Sequence, residues 1–352
     1  MTDTGSPAVA WFRDIGLEAV PRVGGKGASL GELRRAGIAI PDGFVLTTEA
    51  FRLFFAERRQ ALGLDARVMA LQGAETAVLN AACADIRDAL VAEPCPPSLQ
   101  AAITEAYAQL SGAGSEPVAV RSSATSEDSA EASFAGLQDT YLWVHGEEAM
   151  LAAVKRCWAS LYNAESVSYR LRLGLPEAQL AMAVVIQRMV NSRCSGVMFT
   201  RSPTTGDRSV VTLEGSWGLG SSIVSGEVTP DKFVINKITG EITRRDIGDK
   251  HIAHLPADGG GVQEQEVAAE LRNQPCLSDE QIKRLAAIAR QVEQHYGKPQ
   301  DIEWAIDQQG SVLLLQSRPE TVWASKDRAP VAAPAARPFD HIFKIMGGQR
   351  KP

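Results

Sequence analysis

The sequence is poor in residues that would announce redox, metal or nucleic-acid chemistry. Five cysteines (Cys83, Cys95, Cys157, Cys194, Cys276) are scattered over 352 residues without a CxxC pair. That argues against a thiolate zinc site and a disulfide framework, and fits reduced thiols in a cytosolic protein. Lys and Arg number 36 against 42 Asp and Glu, a net charge of −6. With no basic surplus to neutralise a phosphate backbone, no nucleic-acid partner is expected. No apolar run reaches the roughly 18 residues of a membrane span, and "MTDTGSPAVAWF" lacks the charged-then-apolar order of a secretory signal. No membrane partner and a cytoplasmic location are therefore expected. His251 and His254 form an HxxH pair without further ligands nearby, which reads as surface.

What is present is organised. "VGGKGASLGELRRAG" opens with glycines and reads as helical from about Ala28, with Gly37 placed for a C-terminal cap. Thr47 or Thr48 can cap a helix carrying Phe51, Phe54 and Phe55. Residues 66–111 are Ala-rich and read as helical with a break at "EPCPPS", and residues 147–172 read as one further helix. "LAMAVVIQRMV" is a buried strand by its β-branched run. Ser278 and Gln281 make a capping box for a helix over 278–296 that Gly297 ends, and "DIEWAIDQQGSVLLLQS" follows as a hairpin. "KDRAPVAAPAARP" is a linker by composition, leading to an apolar "FDHIFKIM".

Several stretches carry candidate chemistry. In "GGKG", glycine amides at a helix start face an anion readily, and Lys26 adds a full charge, although Walker A spacing is missing. In "VAVRSSATSEDSAEASFAG", Arg121 ends a strand where a guanidinium can hold phosphate oxygens. Ser122, Ser123, Thr125 and Ser126 can donate hydroxyls. The small residues Ser133, Ala135 and Gly136 allow close backbone approach, with Phe134 as a lid or anchor. In the final hairpin, Asp301 and Glu303 share one strand face and Gln316 and Arg318 share one face of the next. A two- or four-residue turn would set Asp301 across from Gln316, whereas a three-residue bulged turn would separate the pairs. Carboxylate and amide oxygens suit Mg²⁺. In "VVIQRMVNS", a strand that breaks into a polar segment can offer backbone groups to a purine edge, flanked by Gln187 and Met189. Glu214, before the Gly215–Gly220 turn, could reach a ribose or a metal. Each stretch alone also reads as an ordinary loop, salt bridge or core strand.

Together they are more specific. "VGGKGASLGEL", "GIAIPDGFVLTTEAF", "VAVRSSATSED", "ASFAG", "VVIQRMV", "SGVMFT", "GLGSSIVSGEVTPDKFV", "DIEWAID" and "LLLQSRP" follow in this order. The chain over about residues 15–323 resembles the nucleotide-binding domain of the phosphoenolpyruvate synthase and pyruvate phosphate dikinase family. The resemblance implies an α+β ATP-grasp fold, two lobes enclosing a nucleotide cleft. The lobes would span 1–195, with a helical insertion at about 66–111, and 196–325, followed by a tail over 326–352. It implies ATP and Mg²⁺ as ligands. Lys26, Arg121 and Arg318 would hold the phosphates and carry catalysis, with the 132–136 loop (Ser133, Phe134, Ala135, Gly136) covering them. Gln187, Met189 and Val190 would line the adenine pocket, Glu303 and Gln316 would ligate the metal, and Asp301 and Glu214 would lie nearby. Ser129-Ala130 stands where the family usually has Leu-Pro, which bears on loop geometry.

Full-length members continue into a swivelling domain whose histidine accepts phosphate. None of His145, His251, His254, His295 and His341 has that Thr-Ser-His context. The resemblance therefore implies the ATP-activating subunit of a split dikinase-type phosphotransferase, similar to the smaller subunit of phenylphosphate synthase. The partner would be a histidine-bearing swivelling-domain subunit, and the final acceptor a small molecule. The alternatives are a single-domain or truncated phosphoenolpyruvate synthase-like enzyme, an antibiotic phosphotransferase, and a non-catalytic nucleotide sensor.

Overall fold

The computed structural model describes residues 7–112, 116–124, 139–321 and 323. The first lobe is built on five antiparallel strands: β1 (Val9–Trp11), β2 (Gly43–Leu46), β3 (Val118–Ala124), β4 (Thr140–Val144) and β5 (Met182–Arg188), in the order β1-β2-β5-β3-β4. β5 reads as an unbroken apolar run because both sheet faces are covered. Met182, Val184 and Ile186 point into the large core, and Ala183 and Val185 into a smaller one.

The large core belongs to six helices: α2 (Thr48–Ala61), α3 (Leu64–Met69), α4 (Thr76–Ala92), α5 (Pro97–Ser111), α6 (Glu147–Ala159) and α7 (Ala164–Leu173). Thr47 caps α2 by accepting from the Ala50 amide. That fixes the helix whose Phe54 ring lies 5.0 Å from Trp158, both fully buried. Burying each such side chain contributes about 2–3 kcal/mol. The single helix expected over 147–172 is two helices. A 3₁₀ turn at Ser160–Tyr162 and extended backbone at Asn163 separate them, and this bend tucks Leu161 and Tyr162 into the core.

The smaller core lies under α1 (Val20–Arg35). This helix starts earlier than the expected Ala28, and Gly24 kinks it with φ 69°. Its C-terminus passes through Ala36 to Gly37 at φ 72°. The two faces of α1 serve different lobes: Val23, Ala28 and Leu30 pack under the first sheet, whereas Leu33 joins the core of the second.

The second lobe contains β6 (Ser192–Phe199), β7 (Val210–Trp217), β8 (Asp231–Asn236) and β9 (Ile242–Asp246). A separate hairpin is formed by β10 (Ile252–Pro256) and β11 (Val262–Glu266). The short helices α8 (Ser221–Val224) and α9 (Ala269–Arg272) precede the long α10 (Asp279–Tyr296), and β12 (Gln300–Asp307) and β13 (Val312–Pro319) close the lobe. The six-stranded sheet runs β13-β12-β6-β7-β8-β9. α10 has the expected Ser278/Gln281 capping box and a left-handed Gly297 at its end. Trp304 is fully buried against Gly196 and Gly215, where a Cβ would come within 2.8 Å and 3.0 Å of its ring. Gly215 is therefore a strand residue that makes room for an indole, not the start of a turn. The sheet changes between Arg188 and Ser192, so the lobe boundary expected at 195/196 falls inside β6. Among the described residues, no helix is long and apolar enough to cross a membrane.

Candidate functional site: a cationic cleft between the lobes

The first wall of the site comes from α1 and β3. A Cβ at Gly24 would sit 2.3 Å from the Ser123 carbonyl oxygen, and its φ is positive, so only glycine fits. The Ser123 hydroxyl donates to the Val23 carbonyl (2.9 Å) and accepts from the Gly27 amide (3.3 Å). This stitching sets Gly25 and Lys26 at the cleft. Ser122 donates to the Asp139 carbonyl (3.3 Å). Both serine hydroxyls are buried and engaged by the protein, which corrects their reading as phosphate donors. Arg121 shares the α1-facing side of β3 with Ser123, two residues along the strand, and enters the cleft.

The second wall is the final hairpin, and here the register departs from expectation. Asp301 lies opposite Arg318, and Glu303 opposite Gln316, not Asp301 opposite Gln316. Ile306 pairs with Val312 beyond a turn braced by the Asp307 carboxylate, which accepts from the Gln309 and Ser311 amides. One extra residue, Leu315, then bulges out of β13 between Leu314 and Gln316. The bulge decides the chemistry. Val312 and Leu314 face the core, so strict alternation would bury Gln316 with them. The bulge turns Gln316 and Arg318 to the cleft instead and sends Ser317 inward, where its hydroxyl donates to Gln300 (2.9 Å).

The two walls face one another across a cavity of about 520 Å³, within the range of small-ligand sites. Arg121 donates to Glu303 at 2.9 Å across the gap, and Arg318 holds Asp301 at 2.7 Å. Burial raises the Asp301 carboxyl above its usual range, with Arg318 opposing the shift. Four basic side chains (Lys26, Arg121, Lys298, Arg318) outnumber two acidic ones (Asp301, Glu303) on the wall, a surplus suited to a polyphosphate. Lys298 was not singled out in the sequence. It follows the Gly297 cap directly, and that adjacency to a strand entering the site is the only signal it gives.

The Gln316 amide oxygen is buried and has no protein hydrogen-bond partner among the described residues. A buried acceptor left unpaired is costly. It lies on the strand position opposite the Glu303 carboxylate, so the pair presents hard oxygens to one point. These residues fit Mg²⁺.

The remaining expected residues are elsewhere. Gln187 is buried on β5, and its amide nitrogen lacks a partner among the described residues. Met189 and Val190 line a different crevice, of about 440 Å³, with Asp42 and Gln308. The Met189 amide is taken by the Pro117 carbonyl at 2.9 Å, so that N–H is not offered to a base. Glu214 lies mid-strand on β7 in the same lateral row as Glu303 but two strands away, and pairs with Lys232 at 3.0 Å. That pair reads as structural. Ser133, Phe134, Ala135 and Gly136 lie outside the described residues, as does the tail. His254 is not a surface residue: its side chain is 15% exposed and held on both ring nitrogens.

Comparison with known proteins adds the family. The chain is 41% identical over 349 residues to a probable phosphoenolpyruvate synthase of Staphylothermus marinus, covering 90% of this chain and 41% of that protein. It is 44% identical over 320 residues to a probable phosphoenolpyruvate synthase of Methanothermobacter thermautotrophicus, covering 89% and 46%. It is 42% identical over 311 residues to rifampicin phosphotransferase from a Streptomyces species, covering 88% and 35%. The chain thus spans less than half the length of each of these relatives. Residues 20–337 match the family described as the pyruvate phosphate dikinase AMP/ATP-binding domain. With an α+β ATP-grasp architecture and a cationic cleft between its lobes, the chain belongs to the family of pyruvate phosphate dikinase AMP/ATP-binding domains.

Proposed function

We propose that the cleft binds Mg·ATP and activates it for transfer of a phosphoryl or pyrophosphoryl group to a histidine on a partner subunit. AMP and phosphate are the other products. The observation that carries this is the facing of Lys26 and Arg121 by Glu303, Gln316 and Arg318 across one cavity. Lys26, Arg121, Lys298 and Arg318 orient the polyphosphate and offset its charge, which is most of what phosphoryl transfer asks of a protein. Glu303 and Gln316 would hold Mg²⁺, which when bound neutralises charge on the phosphate oxygens. No histidine or cysteine lines the cleft among the described residues, so the acceptor comes from outside it. We read the histidine as carried by a separate subunit, as in phenylphosphate synthase, whose final acceptor is phenol. The comparable match to rifampicin phosphotransferase favours a second reading, in which another small hydroxylated molecule is the final acceptor.

Calorimetry with ATP and magnesium tests binding, and an AMP-forming assay with a histidine-bearing partner tests transfer. Tight Mg·ATP binding with AMP release only when that partner is present is the expected result. Absence of binding, or ADP as the sole nucleotide product, would overturn the reading.

A further inference from the structure

A second crevice between the lobes, of about 570 Å³, is bordered by Thr140, which also borders the phosphate cleft. His254 on β10 and Glu264 on β11 line it, and the proposed nucleotide chemistry uses neither. These two residues are direct cross-strand partners, so their side chains leave the same face of the hairpin. The backbone beneath them is fixed, because the Leu219 amide donates to the His254 carbonyl at 2.9 Å. Glu227, just beyond α8, approaches the same point: its carboxylate lies 3.0 Å from His254 Nε2. One donor atom from each of Glu227, His254 and Glu264 falls within 4.8 Å of the others.

Two further features distinguish this cluster from an ordinary ion pair. His254 Nδ1 is hydrogen-bonded to the Ser221 hydroxyl at 2.7 Å. In metal sites the nitrogen not bound to metal is usually held in this way, which orients the other. The charge is also unbalanced. Two carboxylates share one imidazole, which carries at most one positive charge, and Glu264 has no ion-pair partner among the described residues. A divalent cation would remove that repulsion.

We propose that Glu227, His254 and Glu264 form a binding site for a borderline first-row divalent cation of the zinc type. Imidazole nitrogen with carboxylate oxygen is a donor set such ions accept, and it is unlike the all-oxygen set at Glu303 and Gln316. Three protein donors leave positions for water. The ion would tie the β10–β11 hairpin to the segment following α8, whose Val224 borders the phosphate cleft. It would thus brace one rim of that cleft without taking part in its chemistry.

The test is Zn²⁺ uptake by the full chain without nucleotide, by equilibrium dialysis, with Co²⁺ as the spectroscopic probe. The expected result is one Zn²⁺ per chain bound in a way that Glu303→Gln leaves unchanged. A visible Co²⁺ absorption should accompany it, and His254→Ala or Glu264→Gln should weaken uptake at least tenfold. Glu264 is exposed and its Gln variant is nearly isosteric and relieves the carboxylate repulsion, so this variant should melt no lower than metal-free wild type. Zn²⁺ should then raise the Tm of wild type and not of Glu264→Gln. No uptake, uptake unaffected by both cluster variants, or uptake abolished by Glu303→Gln would overturn the assignment.

Discussion

Arg121 and Glu303 neutralise one another across the cleft, and this pairing couples the two ligands each would serve. A polyphosphate that takes Arg121 frees Glu303 for a cation. Arg121→Gln should weaken ATP binding about 10–100-fold, from loss of a charge-assisted contact of roughly 1.5–3 kcal/mol. The same substitution should tighten Mn²⁺ binding in the absence of nucleotide, read by electron paramagnetic resonance; weakening of both would refute the coupling. Asp301 gives a pH signature. Its carboxyl is raised from 3.8, so the folded chain holds this proton more tightly than the unfolded chain. Its contribution to stability is present below the unfolded value and lost as pH rises through the folded one. Asp301→Asn removes that loss. Its denaturation midpoint relative to wild type should therefore climb as pH rises above the unfolded carboxyl value of 3.8, while Mg·ATP binding weakens. Burial raises all five thiols, with Cys194 pushed up to about 11, so access separates them. A thiol reagent should reach only the half-buried Cys95 in the native chain, and all five cysteines after denaturation.

At the scale of elements, the kink of α1 and the bulge of β13 aim the functional side chains. Gly24→Ala would press a methyl against the Ser123 backbone at a positive φ. It should cost about 1–3 kcal/mol in a urea titration and reduce ATP affinity by displacing Lys26. The features legible in the sequence have a local cause. Thr47, Ser278 with Gln281, and Gly297 satisfy backbone groups within one turn, so their positions mark helix ends directly. The features that were not legible depend on distant partners. The bulge at Leu315 hides in the apolar run "VLLLQS", which shows no alternation to interrupt. The "GGKG" segment reads as loop until Ser123 supplies the contacts that hold it as helix. β9 and β11 are largely exposed and polar, so no apolar face announced them. Lys26, Arg121, Glu303, Gln316 and Arg318 were legible through family resemblance and do gather at one cavity, whereas Met189 and Val190 do not.

At the scale of the whole molecule, each lobe has a core, and one helix belongs to both. The second lobe is also tied internally by Asp231 and Lys250, both fully buried, with the lysine 2.6 Å from the carboxylate. The other Asp231 oxygen accepts from the Cys276 amide at 2.8 Å. Asp231→Asn leaves the ammonium buried without its counter-charge and should destabilise the chain by about 3–5 kcal/mol in chemical denaturation. α1 joins the lobes by apolar and polar contacts alike. Leu33 and Ile38 sit in the second core, the Ser29 hydroxyl donates to the Ser317 carbonyl (2.5 Å), and Glu32 meets His295 at 2.7 Å. The consequence is that the two halves are not separable inheritances. A gene cut at residues 189–191 would produce a C-terminal fragment with a hole where Leu33 and Ile38 belong. That fragment should stay unfolded when expressed alone and become ordered only when the N-terminal fragment is produced beside it.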